Sequence, residues 1–198
     1  RKNPLFMGLA SRLKTARKTA ALNRQALTQR AKLSDVSAVL GMEQGQRIPR
    51  LDTVERVAYG LGLSPAFLAY GIEADADRPS DGLRCEGVAL RLRQTRIHLG
   101  LSVLALATAA GLSHTAVGNV ERGTMPTLAT AEALAIALGV SPGWLAYGLG
   151  PMELPGRRRR ADHWPHHRRR DHARRPLAAL RGRPGRGGAL RTSAVAGP

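Results

Sequence analysis

The feature that most constrains this chain is that it repeats itself. Leu63-Ser64-Pro65 through Ala69-Tyr70-Gly71 returns as Val140-Ser141-Pro142 through Ala146-Tyr147-Gly148, displaced by 77 positions. Upstream, Arg12-Leu13 pairs with Arg91-Leu92, Arg17 with Arg96, Leu22 with Leu101, Leu27 with Leu106 and Leu33-Ser34 with Leu112-Ser113, each displaced by 79. The displacement drops by one before Val39/Val117 and again between Gly45 and Pro49, so the first copy carries two single-residue insertions. Each copy spans about 60 residues, near the lower limit for a unit with a core of its own.

Punctuation in the second copy places five helices and requires no strand. Apolar residues recur at three and four spacing from Val88 to Leu99, ahead of Gly100. Ser102 caps a helix that Gly111 stops, and Ser113 caps another running to about Arg122 before Gly123. Thr127 caps a fourth up to Leu138 and Gly139, and Ser141-Pro142 opens a short fifth closed by Gly148. Leu92, Leu106, Leu112, Val117, Val120, Leu134, Leu138 and Trp144 fall at core spacing, and Phe67 is the corresponding large anchor in the first copy. With only 4% aromatic residues, such bundles pack on Leu, Ala and Val.

Composition removes several function classes. A single cysteine, Cys85, excludes an intrachain disulfide framework and a cysteine-based zinc finger, and points to a reducing compartment. It reads as an incidental thiol in or beside the linker, with intermolecular oxidation the alternative. The longest apolar stretch, around Leu101 to Leu112, falls short of the ~20 residues a membrane helix needs. No secretory signal pattern opens the sequence, and a cytoplasmic, nucleoid-associated location is expected. Formal charge is +17 and unevenly placed. Residues 1–71 hold twelve basic and four acidic groups, residues 72–83 are acidic, residues 84–155 are nearly neutral, and Gly156 to Pro198 hold thirteen Arg against Asp162 and Asp171.

Two helices joined by Gly111-Leu112-Ser113 make a helix-turn-helix pattern. The string Arg96-Ile97-His98-Leu99-Gly100-Leu101-Ser102, then Leu106-Ala107 with Ala110-Gly111-Leu112-Ser113, then Val117, Val120-Glu121-Arg122-Gly123, Pro126 and Leu128 resembles the lambda-repressor/Cro (XRE-like) DNA-binding family over nearly all of 88–148. The first copy matches more loosely over 9–71. The resemblance implies that Arg96 with Glu121, and Arg17 with Glu43, are scaffold ion pairs tying helix one to the end of helix three. As such they are structural rather than phosphate ligands.

Inward-facing Val117 and Val120 turn His114, Thr115, Gly118 and Asn119 outward as candidate base readers, and Ser37 is the corresponding candidate in the first copy. Asn119 suits adenine, His114 a guanine acceptor and the Thr115 methyl a thymine. The bland alternative is an ordinary solvated face. By family position, the candidate DNA-backbone contacts are Asn23, Arg24, Gln44, Arg47 and Arg50 in the first copy and Ser102, Arg122 and Thr124 in the second, with Lys14 and Lys18 adding charge. The first copy's third helix, capped by Asp35, is expected to expose Val36, Ser37, Leu40 and Gly41. That set reads bases poorly, so the first copy suits positioning and the second suits reading.

These readings combine into an all-α chain of two tandem five-helix domains. A divergent first helix-turn-helix domain spans 1–71, an acidic linker 72–86, a second domain 87–150, and a disordered Arg-rich tail 151–198. The linker between Ile72 and Glu86, fully extended to near 50 Å, exceeds the ~34 Å between half-sites, so one chain is expected to act as a pseudo-dimer on two unlike half-sites. A homodimer is the alternative. No nucleophile with a base, paired carboxylates or phosphate-cradling glycine motif is evident, so neither catalysis nor a cofactor is expected. His163, His166, His167 and His172 lack a fold to set metal geometry, so no metal is expected either. The expected function is a sequence-specific double-stranded DNA-binding regulator, a repressor. Two classes compete with it: a protein-interaction module, antitoxin-like or a dimerisation adaptor, using Leu40, Leu149, Met152 and Leu154, and a tail-driven non-specific binder.

Overall fold

Where each helix stops decides the architecture, and capping residues set most of the stops. The computed structural model describes residues 3–74 and 82–153, which fall within one compact unit. Its helices are α1 (Leu9–Thr19), α2 (Arg24–Arg30), α3 (Val36–Glu43), α4 (Leu51–Gly60), α5 (Pro65–Tyr70), α6 (Val88–His98), α7 (Val103–Ala110), α8 (His114–Glu121), α9 (Leu128–Leu138) and α10 (Pro142–Tyr147). A 3-10 turn precedes α1 at Leu5–Gly8 and another precedes α6 at Arg84–Gly87; the sequence reading did not anticipate either. Side-chain caps start α2, α3, α7, α8 and α9, from Asn23, Asp35, Ser102, Ser113 and Thr127 respectively. The order α1–α5 recurs as α6–α10.

Each half buries the same positions. Leu13, Leu27, Val39, Leu51, Val57 and Leu68 are fully buried, and so are Leu92, Leu106, Val117, Leu128, Leu134 and Leu145. The expected anchors are corrected: Phe67 and Trp144 are only half-buried, and the large buried aromatics are Tyr70 and Tyr147. Their hydroxyls explain the difference. Tyr70 donates to the Leu128 carbonyl at 3.2 Å and Tyr147 to the Leu51 carbonyl at 3.4 Å, so both rings span the junction between halves with their polar ends satisfied.

The halves are docked, which corrects the picture of a freely spanning linker. Among the described linker residues, Ile72, Ala74 and Leu83 pack against the core and Cys85 is fully buried. Leu51 N–H donates to the Pro126 carbonyl at 3.1 Å and Leu128 N–H to that of Pro49 at 3.0 Å, on either side of a β-bridge between Arg50 and Thr127. Burial, then the nearby Glu55, pushes the Cys85 thiol well above its ordinary range, and the buried sulfur counts against the alternative of intermolecular oxidation. Leu149, expected as an exposed docking residue, is also buried, while Met152 remains exposed. Leu154, the linker acids Asp75, Asp77 and Asp81, the four tail histidines and the rest of the Arg-rich tail lie outside the described residues. Among those described, no single helix is long and apolar enough to cross a membrane.

Candidate nucleic-acid interface

The turn between α7 and α8 is built by three local bonds. The Ser102 hydroxyl accepts from Ala105 N–H at 3.0 Å to start α7. Gly111, at φ +66, ends it, and Leu112 N–H closes back on the Ala107 carbonyl at 2.9 Å. The Ser113 hydroxyl then accepts from Ala116 N–H at 3.1 Å, and α8 leaves at a bend of 116° to α7. That angle is typical of a helix-turn-helix. Val117 and Val120 anchor α8 from beneath.

Its far end is clamped to α6. Arg96 Nε donates to Glu121 Oε1 at 2.5 Å, Nη2 to Oε2 at 3.0 Å, and Nη1 to the Leu101 carbonyl at 2.7 Å. One planar guanidinium thereby fixes the end of α8 and the turn before α7 together. The hydrogen bond to Glu121 holds the Arg96 cation above its ordinary range. In the first half, Arg17 repeats all three bonds, to Glu43 at 2.5 and 3.3 Å and to the Leu22 carbonyl at 2.8 Å. Both expected partners are in ion-pair contact, Arg17 with Glu43 and Arg96 with Glu121.

The outer face of α8 is open. His114 and Thr115, in its first turn, are exposed, while Gly118 and Asn119 are half-buried. The reason is Arg122, placed among backbone contacts by the sequence reading. Its Nη2 donates to Asn119 Oδ1 at 2.5 Å, and its Nη1 would lie 3.2 Å from a Cβ added at Gly118. The guanidinium therefore folds over the reading face. The Asn119 carbonyl oxygen is engaged, its amide remains a donor, and a cation joins the candidate readers. Thr124 is exposed just beyond, and Ser102 spends its hydroxyl on the α7 cap.

The first half departs further from a reader. Val36 and Ser37 are exposed at the start of α3, and the Asp35 carboxylate caps Ser37 N–H and takes its hydroxyl bond. That hydroxyl bond, with the backbone bond, holds the Asp35 carboxyl below its ordinary range, and the anion stands where a base reader would begin. Leu40 is half-buried, and Gly41 is buried rather than exposed, because the aliphatic stem of Arg47 covers it at 3.4 Å from where a Cβ would sit.

Among its backbone candidates, Arg24 is not free: its Nε donates to Glu43 Oε2 at 2.7 Å, making Glu43 the acceptor for two arginines. Asn23 Oδ1 accepts from Ala26 N–H at 2.7 Å, leaving its amide available. Gln44, Arg47 and Arg50 are exposed, and Arg50 has a long contact to Asp52 at 3.5 Å.

Sequence reasoning missed the residues that set where these helices stand. Arg91 Nε and Nη2 donate to the carbonyls of Leu145 and Ala146 at 2.8 and 2.7 Å, and Arg12 does the same to Leu68 and Ala69 at 2.9 and 2.6 Å. Glu132 accepts from Leu5 and Phe6 N–H at 2.7 and 3.0 Å, and Glu55 from Arg84 and Cys85 N–H at 2.7 and 2.9 Å. A signal existed: Glu55 and Glu132 are acids at matching positions of the two copies, separated by the repeat displacement of 77.

Residues 92–145 match the family model described as Helix-turn-helix. No curated protein and no solved structure matches the chain. The family match falls on α6–α10, the half whose exposed helix carries His114, Thr115 and Asn119, and it supports a DNA-binding helix-turn-helix regulator.

Proposed function

We propose that the chain is a sequence-specific double-stranded DNA-binding transcription regulator that works in the cytoplasm on the nucleoid and inserts α8 into the major groove. His114, Thr115, Asn119 and Arg122 read base edges, and Gly118 leaves room for the Arg122 guanidinium beside Asn119. Asn23, Gln44, Arg47, Arg50 and Thr124 hold phosphates. Ser37 is the one polar side chain the first half offers to bases from the exposed start of α3. The two halves are tandem five-helix domains of one lineage. Occlusion of a promoter makes the chain a repressor, since a small bound module blocks polymerase with no further part. The observation that carries this reading is the open polar face of α8, held by a buried pair of valines beneath and an Arg–Glu clamp at its end, within the segment that matches the family.

Selection from a random duplex pool, followed by binding of the full chain and of a chain ending at residue 155 at several salt concentrations, tests it. An enriched motif retained without the tail supports the reading; equal affinity for every duplex, lost with the tail, rejects it.

A second reading has an observation of its own. Leu90, Ile97 and Leu104 are exposed in the second half, where the first half has Ser11, Lys18 and Gln25 at the equivalent positions. Three such replacements on one copy favour a protein partner there, whether an antitoxin's toxin or another regulator, alongside or instead of DNA.

A further inference from the structure

The hydrogen bonds described above between the two halves occur in pairs, each with a counterpart displaced by 77 or 79 positions. Leu51 N–H to the Pro126 carbonyl is answered by Leu128 N–H to that of Pro49. Tyr70 to the Leu128 carbonyl is answered by Tyr147 to that of Leu51. Glu132 on the backbone of Leu5 and Phe6 is answered by Glu55 on that of Arg84 and Cys85. Two further contacts join a residue to its own counterpart. Arg50 bridges Thr127 antiparallel, and Ala66 Cβ stands 3.1 Å from where a Cβ on Gly143 would lie. In an isologous interface a position meets itself only at the two-fold axis. The two self-contacts therefore mark an internal pseudo-two-fold, running through the Arg50/Thr127 bridge and the α5–α10 crossing.

The rotation that exchanges these partners also carries α3 onto α8. A direct repeat of half-sites would need a translation instead. The seven steps from Glu43 to Arg50 and the six from Glu121 to Thr127 span at most about 25 Å each. The ends of α3 and α8 are thereby leashed to the axis within a range that admits a half-site separation of about 34 Å. The exchange also uses these self-complementary contacts within the chain.

We infer that one chain replaces a dimer and binds one inverted pair of unlike half-sites at fixed spacing. This rests on the DNA-binding reading above. The half-sites differ because His114 and Asn119 of α8 and Arg122 just after it stand where the first half has Val36 and the covered Gly41 of α3 and Gln44 just after it. One half-site is read by its bases and the other is held by its phosphates. Glu55 and Glu132 are positioning residues: each pins the turn that opens the opposite half.

The test uses the full chain and duplexes selected from a random pool. Hydroxyl-radical protection of the best selected duplex, with stoichiometry by sedimentation, is expected to show two protected patches about one helical turn apart with one chain bound. Inserting 5 base pairs between the patches, a half turn, is expected to weaken binding at least about tenfold. Inserting the same length outside them leaves binding unchanged. In Glu132→Gln, checked for retained helicity, the penalty of the 5-base-pair insertion is expected to shrink while affinity for the uninterrupted duplex changes less. A single patch, two chains on a symmetric site, or indifference to the insertion overturns the inference while leaving DNA recognition intact. Failure of the pool to yield any preferred sequence overturns the DNA-binding reading itself.

Discussion

Lys32 and Gly111 occupy the same position of the repeat, and both lie in the left-handed region, at φ +51 and +66. Glycine adopts that conformation without a Cβ clash, whereas another residue there costs about 1–2 kcal/mol. Lys32→Gly is therefore expected to stabilise the protein by up to about 1 kcal/mol, and Gly111→Ala to destabilise it by about 1 kcal/mol. Urea midpoints at constant slope check both.

Glu43 offers a second residue-scale prediction. Burial raises its carboxyl pKa, but the hydrogen bonds and charges of Arg17 and Arg24 outweigh burial and hold it below the ordinary range. A depressed folded pKa gives stability that is complete above the unfolded value of about 4.3 and is lost as pH falls through the folded one. At pH 7, Glu43→Gln is expected to cost about 2 kcal/mol, and the gap from the parent protein should close as denaturation is repeated at lower pH. A gap that stays constant down to pH 3 would contradict the assignment. Both Arg–Glu pairs were implied by the family resemblance of the sequence. That Glu43 serves two arginines was not, because Arg24 reaches it from the start of a different helix.

At the scale of elements, α3 and α8 hold the same place in the order of helices and present different surfaces. Their positions and caps were readable from Asp35 and Ser113, since an N-cap is a local interaction between residues two or three apart. Which side chains stand free on them was not readable, because Arg122 and Arg47 fold back from beyond the helix ends onto Asn119, Gly118 and Gly41. This changes what substitutions should do. Asn119→Ala removes an amide donor and frees Arg122, so base preference is expected to relax at one position and affinity to fall by about 1–3 kcal/mol for the preferred duplex. Arg47→Ala is expected to weaken all duplexes alike and lower the salt slope by about 1. Competition binding against a panel of single-base variants separates the two patterns. If both substitutions gave uniform losses, α8 would not be the reader.

At the scale of the whole molecule, the decisive region is the junction where α5 crosses α10. Gly143 lies so close to Ala66, Ile72 and the Leu149 carbonyl that any side chain there meets an atom within 3.1–3.3 Å. Gly143→Val is expected to cost about 1–3 kcal/mol by overpacking. Its effect should reach both halves at once, because one continuous core includes them: the parent protein is expected to unfold in a single transition and the variant to lose coincidence between probes placed in each half.

The sequence by itself determined the helices, their caps, the duplicated order and the residues beneath α8, because each depends on neighbours within a turn or two of chain or on a repeating period. Only the tertiary structure decided that the halves lock about an internal axis, that the segment read as a linker has its ends in the core, and that Arg24 and Arg122 are already bonded within the protein. Those outcomes depend on contacts between residues up to 127 positions apart. No local pattern encodes the direction in which one half must turn to satisfy the buried carboxylates of the other.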